Sequence, residues 1–198
     1  MQLYSNGMSP YGRKVMVVIR ELGLLDRVEL VESQPRLNPE GVIPVNPVGK
    51  IPVLVLEDGT TLRDSPVIAQ YLCDTFGGSA LLPRGPRRWR ALTEVADADT
   101  VIESGILVRN ERLRPAERQS EEFIDWNLAK AVRAMAAFEA DARSIGSRWD
   151  LGTIAIGCAI GYLQRRLPEF EGLLRYPALA ALYPTLSERP AFAATEPA

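Results

Sequence analysis

The stretch NPVGKIPVL, residues 46–54, decides how the first part of this chain is expected to fold. Two prolines and a glycine precede an apolar run of strand-forming residues. Pro52 stands at the mouth of that strand, although proline cannot donate a backbone hydrogen bond to a sheet. A proline there fits a sheet edge or a cis peptide bond in a tight turn, and an ordinary strand-initiating proline is the alternative.

Short strand-like and helix-like segments alternate on both sides of this stretch. The strand-like segments are residues 1–5, residues 27–33 and the two halves of 51–64, which are joined at Asp58-Gly59, a strong hairpin signal. The helix-like segments, each opened by Ser-Pro and closed near a glycine, are residues 9–24 and 65–77. The order β-α-β, a long connection and then β-β-α predicts a small α/β domain over residues 1–76.

The second half carries no strand signal of comparable strength. A Gly- and Pro-rich linker is predicted over residues 77–86, followed by an all-helical domain over 87–198. Its helices are expected within residues 86–114, 116–145, 150–167 and 176–190. The chain is therefore expected to place a small α/β domain before an all-α domain.

Composition removes several kinds of chemistry. The chain of 198 residues has no histidine, which excludes His-ligated metals, a Ser-His-Asp triad and an imidazole base. It has two cysteines, Cys73 and Cys158, which are far apart and indicate neither a disulfide scaffold nor a zinc site. A formal net charge of −2 argues against nucleic acid as a partner. We expect no signal peptide, no membrane partner and a cytoplasmic location.

Four motifs, taken in order, resemble one family. The β-α-β and β-β-α pattern, with a proline before the third strand, resembles the thioredoxin fold and its mixed four-stranded sheet. The whole chain then resembles the cytosolic glutathione transferase family, through SPYGRKV (9–15), NPVGKIPVL (46–54), LRDSPVIAQYL (62–72) and DLGTIAIGCAIGYL (150–163). The Ser-Pro-Tyr start, which has no cysteine, is similar to the serine-type bacterial, theta-like and delta-like members.

This resemblance implies a function, a co-substrate and an assembly. It implies a glutathione transferase that activates the glutathione thiol for attack on a hydrophobic electrophile, with glutathione as co-substrate and no metal. It implies that Pro52 is cis, that the protein is a homodimer, and that the helical domain forms the electrophile pocket. Candidate pocket residues are Trp89, Ile102, Ile106 and Trp126.

Ser9 is the candidate catalytic residue, because a hydroxyl at a helix start can donate to a thiolate in a partly positive environment. A thiol with a pKa of about 8.5 is only about 3% ionised near neutral pH. Lowering that pKa by about two units requires about 2.7 kcal/mol, and a charge-assisted hydrogen bond plus a helix end supply that much. The alternatives are that Ser9 is only an N-cap, or that Tyr4 or Tyr11 contacts the thiol.

The remaining candidate residues follow the resemblance along the tripeptide. Asp64 and Ser65 are expected at the γ-glutamyl end, where a helix start suits the carboxylate and Asp64 pairs with the ammonium. Ile51, which precedes Pro52, is expected to pair backbone to backbone with the cysteinyl residue. The glycyl carboxylate is assigned to Lys50, with Gln34 and Arg36 as alternatives. These residues also have a purely structural interpretation, in which those at the helix start only cap the helix and those in the loops only face solvent.

Other functions in the same fold stay open. The chief alternative is a non-catalytic binding or regulatory protein of the stringent-starvation type. Glutathione-dependent peroxide reduction, dehalogenation and isomerisation are further possibilities. A glutaredoxin-like or cysteine-type thiol transferase is disfavoured, because no cysteine stands at the start of the first helix to form a mixed disulfide.

Three further features receive structural interpretations. Asp150 and Thr153 form a reversed capping box at the start of a helix, and Cys73 and Cys158 are expected in the core. An arginine cluster near the linker is read as a solvated face, with a dimer partner or an anionic co-substrate as the alternative. Its members are Arg84, Arg87, Arg88 and Arg90.

Overall fold

The computed structural model describes residues 1–167 and 175–197, and its first part contains a mixed four-stranded sheet. The strands are β1 (Gln2–Ser5), β2 (Glu29–Glu32), β3 (Val53–Val55) and β4 (Thr61–Arg63), in the order β2-β1-β3-β4. β1 runs parallel to β2 and antiparallel to β3, and β3 is antiparallel to β4. The predicted thioredoxin-like sheet is thus confirmed.

Two helices accompany the sheet, and both begin where Ser-Pro predicted. α1 spans Pro10–Glu21 and α2 spans Ser65–Thr75, with Pro10 and Pro66 in the first turns. Proline suits this position, because its missing N–H has no partner there in any helix. Gly23 and Gly77 follow the helices with φ of 65° and 82°, left-handed values that glycine adopts at little cost.

The apolar face of this sheet is closed by α1 and α2. Leu3 and Leu54 lie opposite each other on β1 and β3 and are fully buried. Val15 and Ile19 of α1 and Ile68 of α2 are fully buried as well. The helical spacing of the α1 residues and the alternating burial along β1 therefore direct these side chains into the core.

The second part is helical, as expected. Its long helices are α3 (Pro86–Arg112), α4 (Glu121–Ala140), α6 (Leu151–Arg166) and α7 (Pro177–Ser187), with short helices α5 (Ala142–Gly146) and α8 (Pro190–Ala193). The pattern over 116–145 predicted one helix, but the structure breaks it at Asp141, whose N–H bonds to the carbonyls of Ala137 and Phe138. Bonds to the third as well as the fourth preceding carbonyl tighten the last turn and end a helix.

Asp150 caps α6, as predicted, but Thr153 does not complete a reciprocal box. The Asp150 carboxylate accepts the N–H of Thr153 at 3.0 Å. The Thr153 hydroxyl donates to the Ile145 carbonyl and the Asp150 carboxylate instead of reaching the backbone of Asp150. Arg148 pairs with Asp150 at 2.7 Å and with Glu94 at 2.5 Å, so the cap belongs to a largely buried ion cluster.

The chain divides into two compact units. The first comprises Met1–Arg88 together with Arg189–Ala198, and the second comprises Trp89–Glu188. The last helix, α8, contacts α1, so the end of the chain returns to the unit that holds the sheet. Within the described residues, no helix is long and apolar enough to cross a membrane.

Candidate active site

Strand register brings the predicted site residues to one end of the sheet. Tyr4 of β1 pairs with Val53 of β3, and Val53 pairs with Arg63 of β4. The chain leaves β1 and β4 at the same end at which it enters β3. The segments that bear Ser9, Ile51-Pro52 and Asp64-Ser65 therefore meet at this end. β2 ends there too, because Ser5 pairs with Glu32.

Ser9 is the N-cap of α1, in an extended conformation with φ of −79° and ψ of 116°. Its hydroxyl oxygen accepts the Gly12 N–H at 3.1 Å. That bond occupies a lone pair and leaves the O–H proton free to donate to a second group. Ser9 as a whole is half-buried at the start of the helix.

Gly12 allows α1 to approach the end of β1 closely. A side chain at this position would collide with the Ser5 hydroxyl and come within 3.2 Å of Ser9 Cβ. The glycine is therefore required by packing, since its φ is unexceptional. A larger residue would require the Ser5 side chain or the helix start that carries Ser9 to shift.

Asn6 shapes the turn between β1 and α1, although it was not among the residues predicted from sequence. Its carbonyl accepts the Ser9 N–H at 3.3 Å, and its side-chain oxygen accepts the Met8 N–H at 3.1 Å. Its side-chain nitrogen donates to the Ser33 carbonyl, just after β2, at 2.7 Å. The Asn-Gly pair at residues 6–7 is the signal that marks a turn at this place.

The Ile51–Pro52 peptide bond is cis, as the resemblance implied, and Pro52 is buried at the entrance to β3. Asn46, also missed from sequence, organises the turn before it. Its side chain accepts the Val48 N–H at 3.1 Å and donates to the Lys50 carbonyl at 2.7 Å. Lys50 itself is exposed, so its ammonium is available to a solvent-facing ligand.

Asp64 and Ser65 open α2. Asp64 has a φ of 72°, the one positive value at a non-glycine among the described residues, and its carboxylate accepts the Ser65 N–H at 2.8 Å. A left-handed aspartate is costly, and such strain is concentrated at functional positions. Ser65 is fully buried, and its hydroxyl has no hydrogen-bond partner among the described residues. A buried hydroxyl without a partner is a group that a ligand can satisfy.

The alternative residues occupy different surroundings. Tyr4 lies within β1 and Tyr11 in the first turn of α1, where its ring centroid is 5.9 Å from Lys14 Nζ. Gln34 and Arg36 lie exposed in the loop after β2. Among the candidate pocket residues, Trp89 and Trp126 are largely exposed, Ile106 is half-buried and Ile102 is fully buried.

The arginine cluster is partly paired. Arg88 binds the Asp74 carboxylate through two nitrogens, at 2.9 and 2.8 Å, and this bond lowers the pKa of Asp74 below its ordinary value. Arg84 and Arg87 are exposed. The described residues contain no group of three His, Cys, Asp or Glu side chains that could hold a metal ion. At the sheet end, the described candidate groups are the Ser9 and Ser65 hydroxyls, the starts of α1 and α2, the Asp64 carboxylate and the Lys50 ammonium.

Comparison with known proteins agrees with this fold. The family model for the glutathione S-transferase N-terminal domain matches residues 8–75. The uncharacterised GST-like protein YibF of Escherichia coli is 34% identical, over 100% of this chain and 98% of its own. A stringent starvation protein A homolog of Pasteurella multocida is 33% identical over 43% of this chain and 39% of its own length.

Solved structures are also similar over the whole chain. A glutathione transferase family member from Pseudomonas fluorescens Pf-5, with bound glutathione, has a TM-score of 0.95 and 42% identity over 100% of this chain and 98% of its own. A second structure from that organism holds S-(propanoic acid)-glutathione, with a TM-score of 0.90 and 43% identity over 100% of both chains. From the fold and these full-length similarities, we conclude that the chain belongs to the glutathione S-transferase family.

Proposed function

We propose that the protein is a glutathione transferase, which binds glutathione at the described end of the sheet and activates its thiol through Ser9. The observation that carries this proposal is the Ser9 hydroxyl, which accepts the Gly12 N–H at 3.1 Å and keeps its own proton for donation. The bound glutathione in the structure from Pseudomonas fluorescens supports the choice of ligand. The second complex of that organism supports substitution at sulfur, because its glutathione carries a propanoic acid there.

The rest of the tripeptide has complementary groups along the same sheet end. The backbone of Ile51 would pair with the cysteinyl residue, and Lys50 would attract the glycyl carboxylate. Ser65 offers its buried hydroxyl to the γ-glutamyl carboxylate, and Asp64 offers its charge to the ammonium. To receive that carboxylate, the Ser65 N–H would exchange its bond to Asp64 for one to the ligand. The second substrate in this proposal is a hydrophobic electrophile.

The first experiment titrates the full chain with reduced glutathione in a calorimeter and then measures conjugation to a chromogenic aryl halide. We expect saturable one-to-one binding and a turnover that falls about 10²-fold in Ser9→Ala, the scale of losing one transition-state donor. Ser120→Ala is the matched control, because Ser120 caps α4 through the same kind of bond, 3.2 Å to the Phe123 N–H. It should lose helix stability but no turnover.

Two results would contradict the proposal. If no heat and no binding are detected at about 10 mM glutathione, glutathione is excluded as the ligand, because the binding free energy could then be at most a few kcal/mol. If Ser9→Ala and the wild type conjugate glutathione at equal rates, thiol activation would be assigned to the α1 N-terminus, Tyr4 or Tyr11 instead of Ser9. Turnover with peroxides, halogenated acids or isomerisable substrates would identify a different glutathione-dependent reaction at the same site.

The second candidate function is a non-catalytic binding or regulatory protein. It is favoured by the similarity to the stringent starvation protein A homolog, which covers 43% of this chain. Against it stand Ser9 and Asp64-Ser65, which together address both the thiol and the γ-glutamyl end of glutathione. Glutathione binding without turnover on any tested electrophile would favour this candidate.

We further propose that the protein acts as a homodimer. Trp89, on the first turn of α3, is 68% exposed, and a large aromatic side chain so placed favours a protein contact. Light scattering should give twice the single-chain mass of 21.8 kDa. A mass near that of one chain would reject the dimer.

A further inference from the structure

The segment that carries Ser9 into α1 is held from two sides by one residue, Asn6. Within the segment, the Asn6 carbonyl accepts the Ser9 N–H at 3.3 Å and its side-chain oxygen accepts the Met8 N–H at 3.1 Å. These two bonds close a turn over residues 6–9. The backbone direction at Ser9, and hence the position of its hydroxyl, depends on this turn.

The second contact is a hydrogen bond from Asn6 to a residue outside the turn over residues 6–9. Asn6 Nδ2 donates to the Ser33 carbonyl at 2.7 Å, and the Ser33 N–H donates to the Ser5 carbonyl at 2.8 Å. Ser33 is buried, and its hydroxyl donates to the Val31 carbonyl at 2.9 Å, so it is fixed to β2. The turn before Ser9 is therefore fastened to the neighbouring strand as well as to its own.

A similar turn, closed by backbone and side-chain hydrogen bonds of an asparagine, precedes Ile51. The Asn46 carbonyl accepts the Gly49 N–H at 2.8 Å, its side-chain oxygen accepts the Val48 N–H and its side-chain nitrogen donates to the Lys50 carbonyl. The difference lies in the anchor, because Asn46 binds within its own loop whereas Asn6 reaches a different strand. Asn46 is thus a natural comparison for Asn6.

We propose that Asn6 is a positioning residue for Ser9, acting through the turn over residues 6–9 and its anchor on the Ser33 carbonyl. This inference rests on the proposed function, in which the Ser9 hydroxyl donates to the glutathione sulfur. A hydrogen bond to a charged acceptor weakens steeply when the donor is misdirected, and displacement by about 1 Å costs up to about 10²-fold in rate. The Asn6 side chain is engaged with the Met8 N–H and the Ser33 carbonyl, so its effect is expected to pass through the turn that carries Ser9.

The test follows the ultraviolet absorbance of the glutathione thiolate bound to the full chain as a function of pH, together with conjugation kinetics. In Asn6→Ala we expect the pKa of the bound thiol to rise by roughly one pH unit and kcat to fall about tenfold, while KM for glutathione changes less than about twofold. Asn6→Ser should behave in the same way, because serine can accept the Met8 N–H but cannot reach Ser33.

Two further variants separate positioning from general damage. In the double variant Asn6→Ala with Ser9→Ala, the pKa of the bound thiol should equal that of Ser9→Ala alone. Asn46→Ala should raise KM for glutathione and leave the pKa of the bound thiol at its wild-type value. Thermal unfolding of each variant checks that the fold is retained.

The outcomes that overturn the inference differ from those that overturn the proposed function. If the wild type lowers the pKa of the bound thiol and Asn6→Ala and Asn6→Ser do the same, only the inference fails. Additive effects in the double variant would also reject it, because Asn6 would then act independently of Ser9. If the wild type binds no glutathione, the proposed function fails and the inference with it.

Discussion

At the scale of single residues, the Ser9 hydroxyl makes one structural bond and is proposed to donate a second bond to the glutathione sulfur. An oxygen that accepts the Gly12 N–H at 3.1 Å is polarised, and its own O–H becomes a better donor. The N-cap interpretation and the thiol interpretation are therefore compatible, since one lone pair and one proton serve them separately. The matched caps at Ser9 and Ser120 allow the two contributions to be measured apart.

Asp64 should contribute to ligand affinity through its charge. Asp64→Asn keeps an oxygen for the Ser65 N–H but removes the charge that would attract the glutathione ammonium. We expect calorimetry to show about tenfold weaker glutathione binding, corresponding to about 1.4 kcal/mol. Asp58→Asn is the control, because Asp58 is an exposed acid that accepts the Thr60 N–H at 2.8 Å in the β3–β4 turn. Equal affinities in the wild type and Asp64→Asn would contradict the assignment.

Cys73 should make stability depend on alkaline pH. Burial, with the Asp74 carboxylate as a smaller cause, raises the pKa of this thiol to about 12. The folded state therefore keeps the proton after the unfolded chain has lost it. The contribution of the thiol to stability is complete below the thiol pKa of the unfolded chain. It declines as the pH rises from that value towards the higher thiol pKa of the folded protein.

This decline is measurable by urea unfolding under reducing conditions. Between about pH 9 and 11, the wild type should lose up to about 1.4 kcal/mol of unfolding free energy per pH unit more than Cys73→Ala. The comparison between the two proteins removes other groups that titrate in this range. Parallel pH profiles would show that the Cys73 thiol is not buried from solvent.

At the scale of elements, the backbone N–H groups at the helix N-termini are capped in two different ways. Ser9, Asp64, Ser120 and Asp150 each cap the helix that follows them in the chain. α7 instead borrows the carboxylate of Glu139, near the end of α4, which accepts the N–H groups of Ala178 and Leu179, both at 2.9 Å. One side chain thus caps α7 and joins it to α4.

Glu139 should accordingly stabilise more than a surface residue does. Glu139→Ala is expected to lower the unfolding free energy by about 1 kcal/mol, because two helical N–H groups lose a charged acceptor. In Glu139→Gln one amide oxygen remains, so a smaller loss is expected. Denaturant unfolding of the three proteins measures both values. No change in Glu139→Ala would mean that water replaces the carboxylate at no cost.

At the scale of the whole molecule, the end of the chain completes the unit that begins it. Arg13 of α1 donates to the Phe192 carbonyl at 3.2 Å, and its guanidinium lies 4.0 Å from the centroid of the Phe192 ring. Phe192 is fully buried, although 179 residues separate it from Arg13. Arg13 lies one turn after Ser9, so the last helix stabilises the helix on which the proposed site is built.

Phe192 should therefore matter to the stability of the first unit. Phe192→Ala is expected to cost about 3–4 kcal/mol of unfolding free energy through the cavity it leaves, and Phe192→Leu about 1 kcal/mol. Chemical unfolding measures both. Deletion of residues 190–198 should be at least as costly as Phe192→Ala. A truncated chain with wild-type stability would show that the contact contributes nothing.

Local chemistry explains which features the sequence alone could predict. Ser-Pro starts, glycine stops and the Asp58-Gly59 turn predicted α1, α2 and the β3–β4 hairpin, because these signals act within a few residues. The motif NPVGKIPVL predicted the entrance to β3 and, through family resemblance, the cis bond at Pro52. Ser9, Asp64 and Ser65 were candidates because each lies at a predicted helix start and within a motif that resembles the family.

The sequence by itself thus determined the element types and indicated the candidate residues of the proposed site, while the mixed sheet followed from the family resemblance. Only the tertiary structure decided how they are held together, since pairing between β1, β3 and β4 places the three segments at one sheet end. It also decided the anchor from Asn6 to Ser33, the cap from Glu139 to α7 and the return of Phe192 to Arg13. Each joins residues distant in the chain, and a contact between distant residues leaves no periodicity or spacing in a single sequence.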